Sequence, residues 1–213
     1  VAMPGLTSVV RNKLDLVYSN AQRLLLLVNQ LLDLRKSQEG KLDLHISKSD
    51  LIPFLEEIHL AFSHLAMRKS IHFGFDKDDT SFYAWFDKSL VEKVVFNLLS
   101  NAIKFTPNNG RIVLSLKKCL LQDIPADLRD TLPAEFSQEM EFAVIRVSDS
   151  GCGIPQEELK HIFVPFYQVE EQVPAEVGTG LGLSLVHTIV KLHHGCITVD
   201  SKPSHGSVFT VYL

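Results

Sequence analysis

Asn97-Leu98-Leu99-Ser100-Asn101-Ala102-Ile103-Lys104-Phe105-Thr106-Pro107 is the stretch on which the reading of this chain turns. Asp87 can cap a helix that runs to about Phe105 and stops before Pro107, with Val91, Val95, Leu98, Ala102 and Phe105 as its apolar column. Beside that column Lys93, Asn97, Asn101 and Lys104 form a polar one, since residues three and four apart share a helix face. Carboxamide oxygens are neutral hard ligands, able to join waters and phosphate oxygens around Mg²⁺. Lys104, one turn further on, can reach a phosphate. An Asn-x-x-x-Asn pair standing alone is more often a pair of surface or capping residues, so the reading needs support from elsewhere in the chain.

Two more segments supply it. Asp149-Ser150-Gly151-Cys152-Gly153-Ile154 follows a predicted strand in which Ala143, Ile145 and Val147 share the parity of Asp149, so the carboxylate points with them toward the helical layer. A buried carboxylate needs donors, and the exocyclic amine of adenine is one that a nucleotide supplies. Gly178-Thr179-Gly180-Leu181-Gly182-Leu183 opens directly into a helix. Its first amides have no internal partner and attract anions, and glycines remove the Cβ atoms that would hold a phosphate chain away. The spacing is G-x-G-x-G, unlike the dinucleotide fingerprint or the P-loop. Between these segments, Phe163-Val164-Pro165-Phe166-Tyr167 leads into a polar run, Gln168 to Val177, that suits a lid, although its aromatics equally suit a plain core. Each segment alone also fits an ordinary turn or helix; their joint occurrence in this order and context describes a pocket for a nucleotide and its metal.

At this point the residues resemble the histidine-kinase branch of the ATPase and kinase superfamily shared with gyrase, mismatch-repair ATPases and heat-shock chaperones. The resemblance covers nearly the whole chain: an N box at Asn97 to Pro107, a G1 box at Asp149 to Gly153, an F box at Phe163 to Phe166, a G2 box at Gly178 to Gly182, and a G3-like Gly206-Ser207. It implies ATP and Mg²⁺ as ligands, Asn101 on the metal with Asn97 assisting, Lys104 on phosphate, Phe105 by the base and Asp149 reading adenine. Asn97, Asn101 and Lys104 would be the catalytic set. Gly151, Gly153, Ile154, Phe163, Phe166, Gly178, Thr179, Gly180, Leu181, Gly182 and Leu183 would complete the nucleotide site. The run from Asn20 to Asp33 is similar to those of hybrid sensor kinases from gut Bacteroides-type bacteria.

The rest of the chain gives the organisation. From about Leu6 to Gln38 there is neither proline nor glycine, and Val10, Leu14, Val17, Ala21, Leu24, Val28 and Leu31 make a heptad seam, with Tyr18, Leu25 and Leu32 as a second apolar column. At 1.5 Å per residue such a helix is roughly 45 to 50 Å long, more than a small domain, which favours a partner helix. Gly40 ends it. Residues 1–40 are therefore expected to be a coiled-coil or bundle helix, which the resemblance makes the second helix of a dimerisation and phosphotransfer hairpin. Residues 41–213 are expected to be the catalytic ATP-binding domain.

In that domain a strand near Leu42 to Ser47 precedes a helix capped by Asp50, with Leu51, Phe54, Leu55, Ile58, Phe62 and Leu65 on its apolar face. Strands are predicted at Ile71 to Phe75, Phe82 to Phe86, Arg111 to Lys118, Phe142 to Ser148, Cys196 to Ser201 and Ser207 to Leu213. A helix from Gly182 to His194 comes before the last two strands. Leu121 to Met140 reads as an excursion with one short helix. The fold class is α+β, a two-layer sandwich with a mixed, largely antiparallel sheet and helices on one face, which the resemblance makes a Bergerat-type ATP-binding fold.

Composition narrows the function. With 46% hydrophobic and 22% charged residues in 213 the chain is long enough for a good core, and a net charge of −4 argues against a nucleic-acid partner. Three widely spaced cysteines fit a reducing compartment, and no apolar stretch is long enough to span a bilayer. A cytoplasmic setting is expected, which for an inner-membrane parent means its cytoplasmic side. The position of Asn97 carries Glu in the hydrolytic branch of the resembling family, and an amide cannot take up a proton near neutral pH, so transfer is favoured over hydrolysis. The resemblance then implies a histidine acceptor on a hairpin of the same or a partner chain, a homodimer in the full-length protein, and relay to a response-regulator receiver domain. None of the nine histidines lies in the His-Glu or His-Asp context that such an acceptor needs. The first hairpin helix is expected to be absent, with Val1 to Gly5 a junction, and the fragment is expected to bind ATP without phosphorylating itself. A hydrolytic ATPase of the same fold and a non-catalytic nucleotide-binding scaffold are the other readings.

Overall fold

The computed structural model describes residues 8–169 and 178–213. The expected junction at Val1 to Gly5 and most of the expected lid thus lie outside the described residues. The chain divides into two units, Val1–Leu42 and Asp43–Leu213. Among its described residues the first contains one helix, α1 (Ser8–Gln38). Every member of the seam from Val10 to Leu31 is exposed, Leu14 at 52% and Leu24 at 62% among them. Gly40, at φ 65°, turns the chain out of the helix, and Lys41 N–H closes the end on Lys36 O at 2.7 Å.

The second unit runs β1 (Ser47–Asp50), α2 (Leu51–Arg68), β2 (His72–Lys77), β3 (Tyr83–Phe86), α3 (Lys88–Phe105), β4 (Arg111–Leu120), α4 (Ala126–Arg129), β5 (Glu141–Asp149), α5 (Gly182–Leu192), β6 (Cys196–Ser201) and β7 (Ser207–Tyr212). Five strands form one sheet in the order β2-β4-β5-β7-β6, in which only the β2–β4 pair is parallel. β1 and β3 form a separate antiparallel ribbon. The first strand therefore differs from the expectation: Leu42 to Ile46 stay irregular, and pairing begins at Ser47, opposite Phe86. Leu65 also departs from the expected buried face; it is 47% exposed, and Ala66 is buried instead. The excursion forms a 3₁₀ turn and α4. Its Leu121, Ile124 and Leu132 gather with Phe142 and Cys196 in a small core of their own.

Register explains where the main core sits. Leu114, Val147, Phe209 and Val199 lie in one row across β4, β5, β7 and β6, and Leu116, Ile145, Val211 and Ile197 in the next. Because strand side chains alternate, these rows share one face, and α2, α3 and α5 pack on the sheet. The row at the other side of Leu114 reads Ile112, Asp149, Ser207 and Ser201. The apolar face thus turns polar at the end of the central strand.

Caps set the helix starts. Asp50 accepts from Ile52 N–H at 3.0 Å, and Asp87, buried, accepts from Leu90 N–H at 3.1 Å and from His45 N–H at 2.8 Å. His193 links α5 to this cap: its Nδ1–H donates to Ile189 O at 2.8 Å and its Nε2 accepts from Asp87 N–H at 3.2 Å, which requires the neutral ring. Burial lowers the His193 pKa; the Ile189 carbonyl and Asp87 oppose that shift, and His194 adds to it. The depressed value means that stability from this group is full above the unfolded-state pKa of about 6.5 and is lost as pH falls through the folded-state value. Melting temperature is accordingly expected to fall on acidification from pH about 6.5, and His193→Gln is expected to flatten that part of the profile. Thermal scans across pH check this; an unchanged slope in His193→Gln would refute it.

Candidate functional site

One face of α3 is buried through Val91, Val94, Val95, Leu98, Leu99 and Ala102, which leaves Asn97, Asn101 and Lys104 half-buried along one edge of the helix. Asn97 Nδ2–H donates to Lys93 O at 2.7 Å, so its carboxamide oxygen is turned the other way, toward Gly182 at the start of α5. A Cβ on Gly182 would lie 2.6 Å from that oxygen. One turn beyond Asn101, the ammonium of Lys104 lies 4.8 Å from the centroid of the Phe105 ring and 3.0 Å from where a Cβ on Gly178 would stand. The two ends of the polar column thus face the two ends of the glycine loop. These residues are separated by more than seventy positions in sequence and come together because α3 and α5 pack side by side.

The glycine loop is held from its other side by the aromatic segment. Phe166, itself at φ 66°, donates its N–H to Gly180 O at 2.8 Å, and Gln168 Nε2–H donates to Gly178 O at 2.9 Å. Gly180 has φ 69°, and a Cβ there would lie 2.6 Å from the Phe166 carbonyl carbon, so only glycine fits. Thr179 Oγ1 accepts from Leu181 N–H at 3.1 Å and Ser184 Oγ–H donates to Leu181 O at 2.9 Å. No side chain of the N-cap residue Leu181 covers the first amides of α5, and no acid lies in its first turn. That combination leaves a helix N-terminus suited to an anion. The side chain of Phe166 is 64% exposed, while Phe163 turns to His187, ring centroids 5.4 Å apart. Phe163 and Phe166 therefore do not form one aromatic wall.

At the sheet end of the site, Asp149 is half-buried and its Oδ1 accepts from Gly151 N–H at 2.8 Å. Burial raises its pKa above the ordinary carboxylate value, against the lowering effect of backbone hydrogen bonds from Gly151 and Ser207. A carboxylate in this state gains from another donor. Gly151 lies against the last turn of α3: a Cβ there would lie 2.7 Å from Phe105 O. The rest of this loop belongs to the β6–β7 turn. Ile154 N–H donates to Ser201 Oγ at 2.8 Å, Ser204 N–H to Cys152 O at 2.6 Å, and Ser201 Oγ–H to Gly206 O at 2.8 Å with Ser207 Oγ 3.0 Å away. Cys152 is exposed at the tip. Sequence reading missed Ser201 and the backbone of Ser204, since serines in a terminal hairpin carry no local sign of a loop some fifty residues earlier.

The residues present fit the ligands implied above. An acceptor oxygen on Asn97, a second carboxamide on Asn101 and an uncapped helix N-terminus suit a metal held jointly by protein and phosphate oxygens. Among the described residues no group of three His, Cys, Asp or Glu side chains could hold a metal alone. No described helix is long and apolar enough to cross a membrane.

Comparison with known proteins gives a consistent result. The family model described as "Histidine kinase-, DNA gyrase B-, and HSP90-like ATPase" matches residues 86–213. The sensor histidine kinase TmoS of Ectopseudomonas mendocina is 38% identical over 215 residues, an alignment that covers all of this chain and 20% of TmoS. Full-length ShkA, solved in complex with AMPPNP, superposes with a TM-score of 0.77 at 21% identity, over 97% of this chain and 39% of ShkA. ThkA, solved in complex with the response regulator protein TrrA, gives a TM-score of 0.66 at 21% identity, over all of this chain and 52% of ThkA. At that identity the two structures speak for the fold. The chain spans between 12% and 20% of the length of the first three curated relatives it matches.

The geometry predicts unequal tolerance in the glycine loop. Gly180→Ala, against fixed backbone and at positive φ, is expected to cost about 1–3 kcal/mol. Gly178→Ala, whose nearest neighbour is the flexible end of Lys104, is expected to cost less than about 1 kcal/mol. Denaturant unfolding of both variants checks the order, and equal costs would contradict it.

Proposed function

Since this chain belongs to the histidine kinase-, DNA gyrase B- and HSP90-like ATPase family, we propose that it is the ATP-binding catalytic part of a sensor histidine kinase. In this reading it places the γ-phosphoryl group of ATP for transfer to a histidine on a phosphotransfer hairpin, from which a response-regulator aspartate takes it. The observation that carries the choice of transfer over hydrolysis is Asn97. Its side chain presents an oxygen to the glycine loop while its nitrogen is engaged by Lys93 O. A carboxylate there could accept a proton from water; an amide cannot.

In the same reading the other residues take roles that their positions support. Asp149, at the polar end of the central strand, would accept a hydrogen bond from the adenine amine. Phe105 would lie by the base. Lys104 and the amides at Gly182 and Leu183 would hold phosphate oxygens, and Asn101 with Asn97 would hold Mg²⁺. Bound magnesium would supply charge neutralisation at the phosphate oxygens. Gly151, Gly153 and Ile154 would border the base, with Phe163, Phe166 and Gly178 to Leu181 enclosing the phosphate side. The acceptor imidazole comes from a hairpin of the same or a partner chain; its nitrogen forms the new P–N bond as the bond to the ADP oxygen breaks. The exposed apolar seam of α1 supports reading residues 1–40 as the second helix of that hairpin, paired in a homodimer of the full-length protein on the cytoplasmic side of any membrane.

Titration calorimetry with Mg²⁺ and an ATP analogue tests the site. The wild type is expected to bind with magnesium dependence, and Asn101→Ala to lose about tenfold or more in affinity together with that dependence. Unchanged binding would refute the assignment. Steady phosphate release from the wild type is expected to be slow and to rise in Asn97→Glu. Labelled ATP should yield acid-labile phosphate on a supplied histidine-bearing hairpin polypeptide and none on this chain; no phosphate on the hairpin would favour a non-catalytic scaffold.

A further inference from the structure

The last carbonyls of a helix have no partner inside it. In α3, Ala102 O accepts from Thr106 N–H at 3.0 Å. The next two are met by one residue from another element: Lys69 Nζ–H donates to Ile103 O at 2.8 Å and lies 3.4 Å from Lys104 O. Lys69 is the C-cap of α2, and its own N–H is bonded to the carbonyls of Ala66 and Met67. Its carbonyl accepts from Asn109 N–H at 3.3 Å, and Ser70 after it turns the chain at φ 55°. The lysine is thus fixed at its backbone, half-buried along its stem, and its ammonium stands at the negative end of the α3 dipole. The turn it grips carries Lys104 and Phe105.

We propose that Lys69 is a positioning residue for the phosphate contact: by holding the carbonyls of Ile103 and Lys104 it fixes the last turn of α3 and with it the place of the Lys104 ammonium. Lys69 touches no nucleotide in this scheme. The inference rests on the nucleotide reading given above and deepens it. An ammonium bonded to both carbonyls restrains the turn from which Lys104 must meet phosphate. Lysine suits this task because its flexible stem lets a compact ammonium donate to two carbonyls at once.

The test is a double-mutant cycle read by calorimetry with Mg²⁺ and an ATP analogue, at a temperature below the lowest melting point of the set. Lys69→Met, which keeps the apolar stem and removes the charge, is expected to weaken binding about five- to tenfold. Lys69→Arg is expected to stay within about twofold of the wild type. In a Lys104→Met background the additional loss from Lys69→Met is expected to shrink to less than about twofold, because the group it positions is gone. A merely structural role would lower the melting temperature and leave this coupling at zero. Wild-type affinity in Lys69→Met, or an equal loss with and without Lys104, would overturn the proposal while leaving the nucleotide site intact. Absence of binding by the wild type itself would remove both.

Discussion

The approach of α3 to α5 at Asn97 and Gly182 is the constraint on which the rest of the site depends. A hydrogen atom at position 182 is what allows the carboxamide oxygen to reach the first turn of α5. A Cβ there would meet the Asn97 carboxamide oxygen at 2.6 Å and displace it from the first turn of α5. Both helices are fixed from below by rows of apolar residues across four strands, so the spacing is not free to adjust. The site is therefore a property of helix packing as much as of loops.

A second theme is that each loop of the site is tied to something outside it. The glycine loop is bonded to the aromatic segment through Phe166 and Gln168, and the Asp149 loop to the last hairpin through Ser201 and Ser204. At the opposite end of α3, the Asp87 cap is shared with His45 and His193. Such cross-ties hold loop backbones whose own sequences, rich in glycine, would otherwise pay the largest entropy on ordering.

Much of this was legible in the residues. Caps at Asp50 and Asp87, the end of α1 at Gly40, the periodicity of α3 and the alternation of β5 are local signals, and each element formed close to its expected bounds. β1 was not legible for a physical reason. Leu42, Leu44 and Ile46 alternate as a strand should, but the partner β3 pairs with Ser47–Asp50, and pairing decides a strand more than propensity does. Leu65 was misplaced because a step of three from Phe62 is as allowable as the step of four to Ala66 that packing selects. Among the site residues, those that would touch a ligand carried a motif. Lys69 and Ser201 did not, since a lysine at a helix end and a serine in a strand look solvated until the fold brings them to a distant backbone.

Cys152 gives this architecture a practical use. Of the three thiols, Cys196 is buried and pushed up to about 11, and Cys119 is partly covered and also raised, whereas Cys152 is exposed at the rim beside Asp149. Partial desolvation of its sulfur, with the Asp149 carboxylate adding to the effect, raises its pKa, so modification will be slow at neutral pH, but its exposure directs a maleimide there first. A fluorophore so attached would stand beside Asp149, turning the native chain into its own optical reporter of whether the proposed purine end is filled.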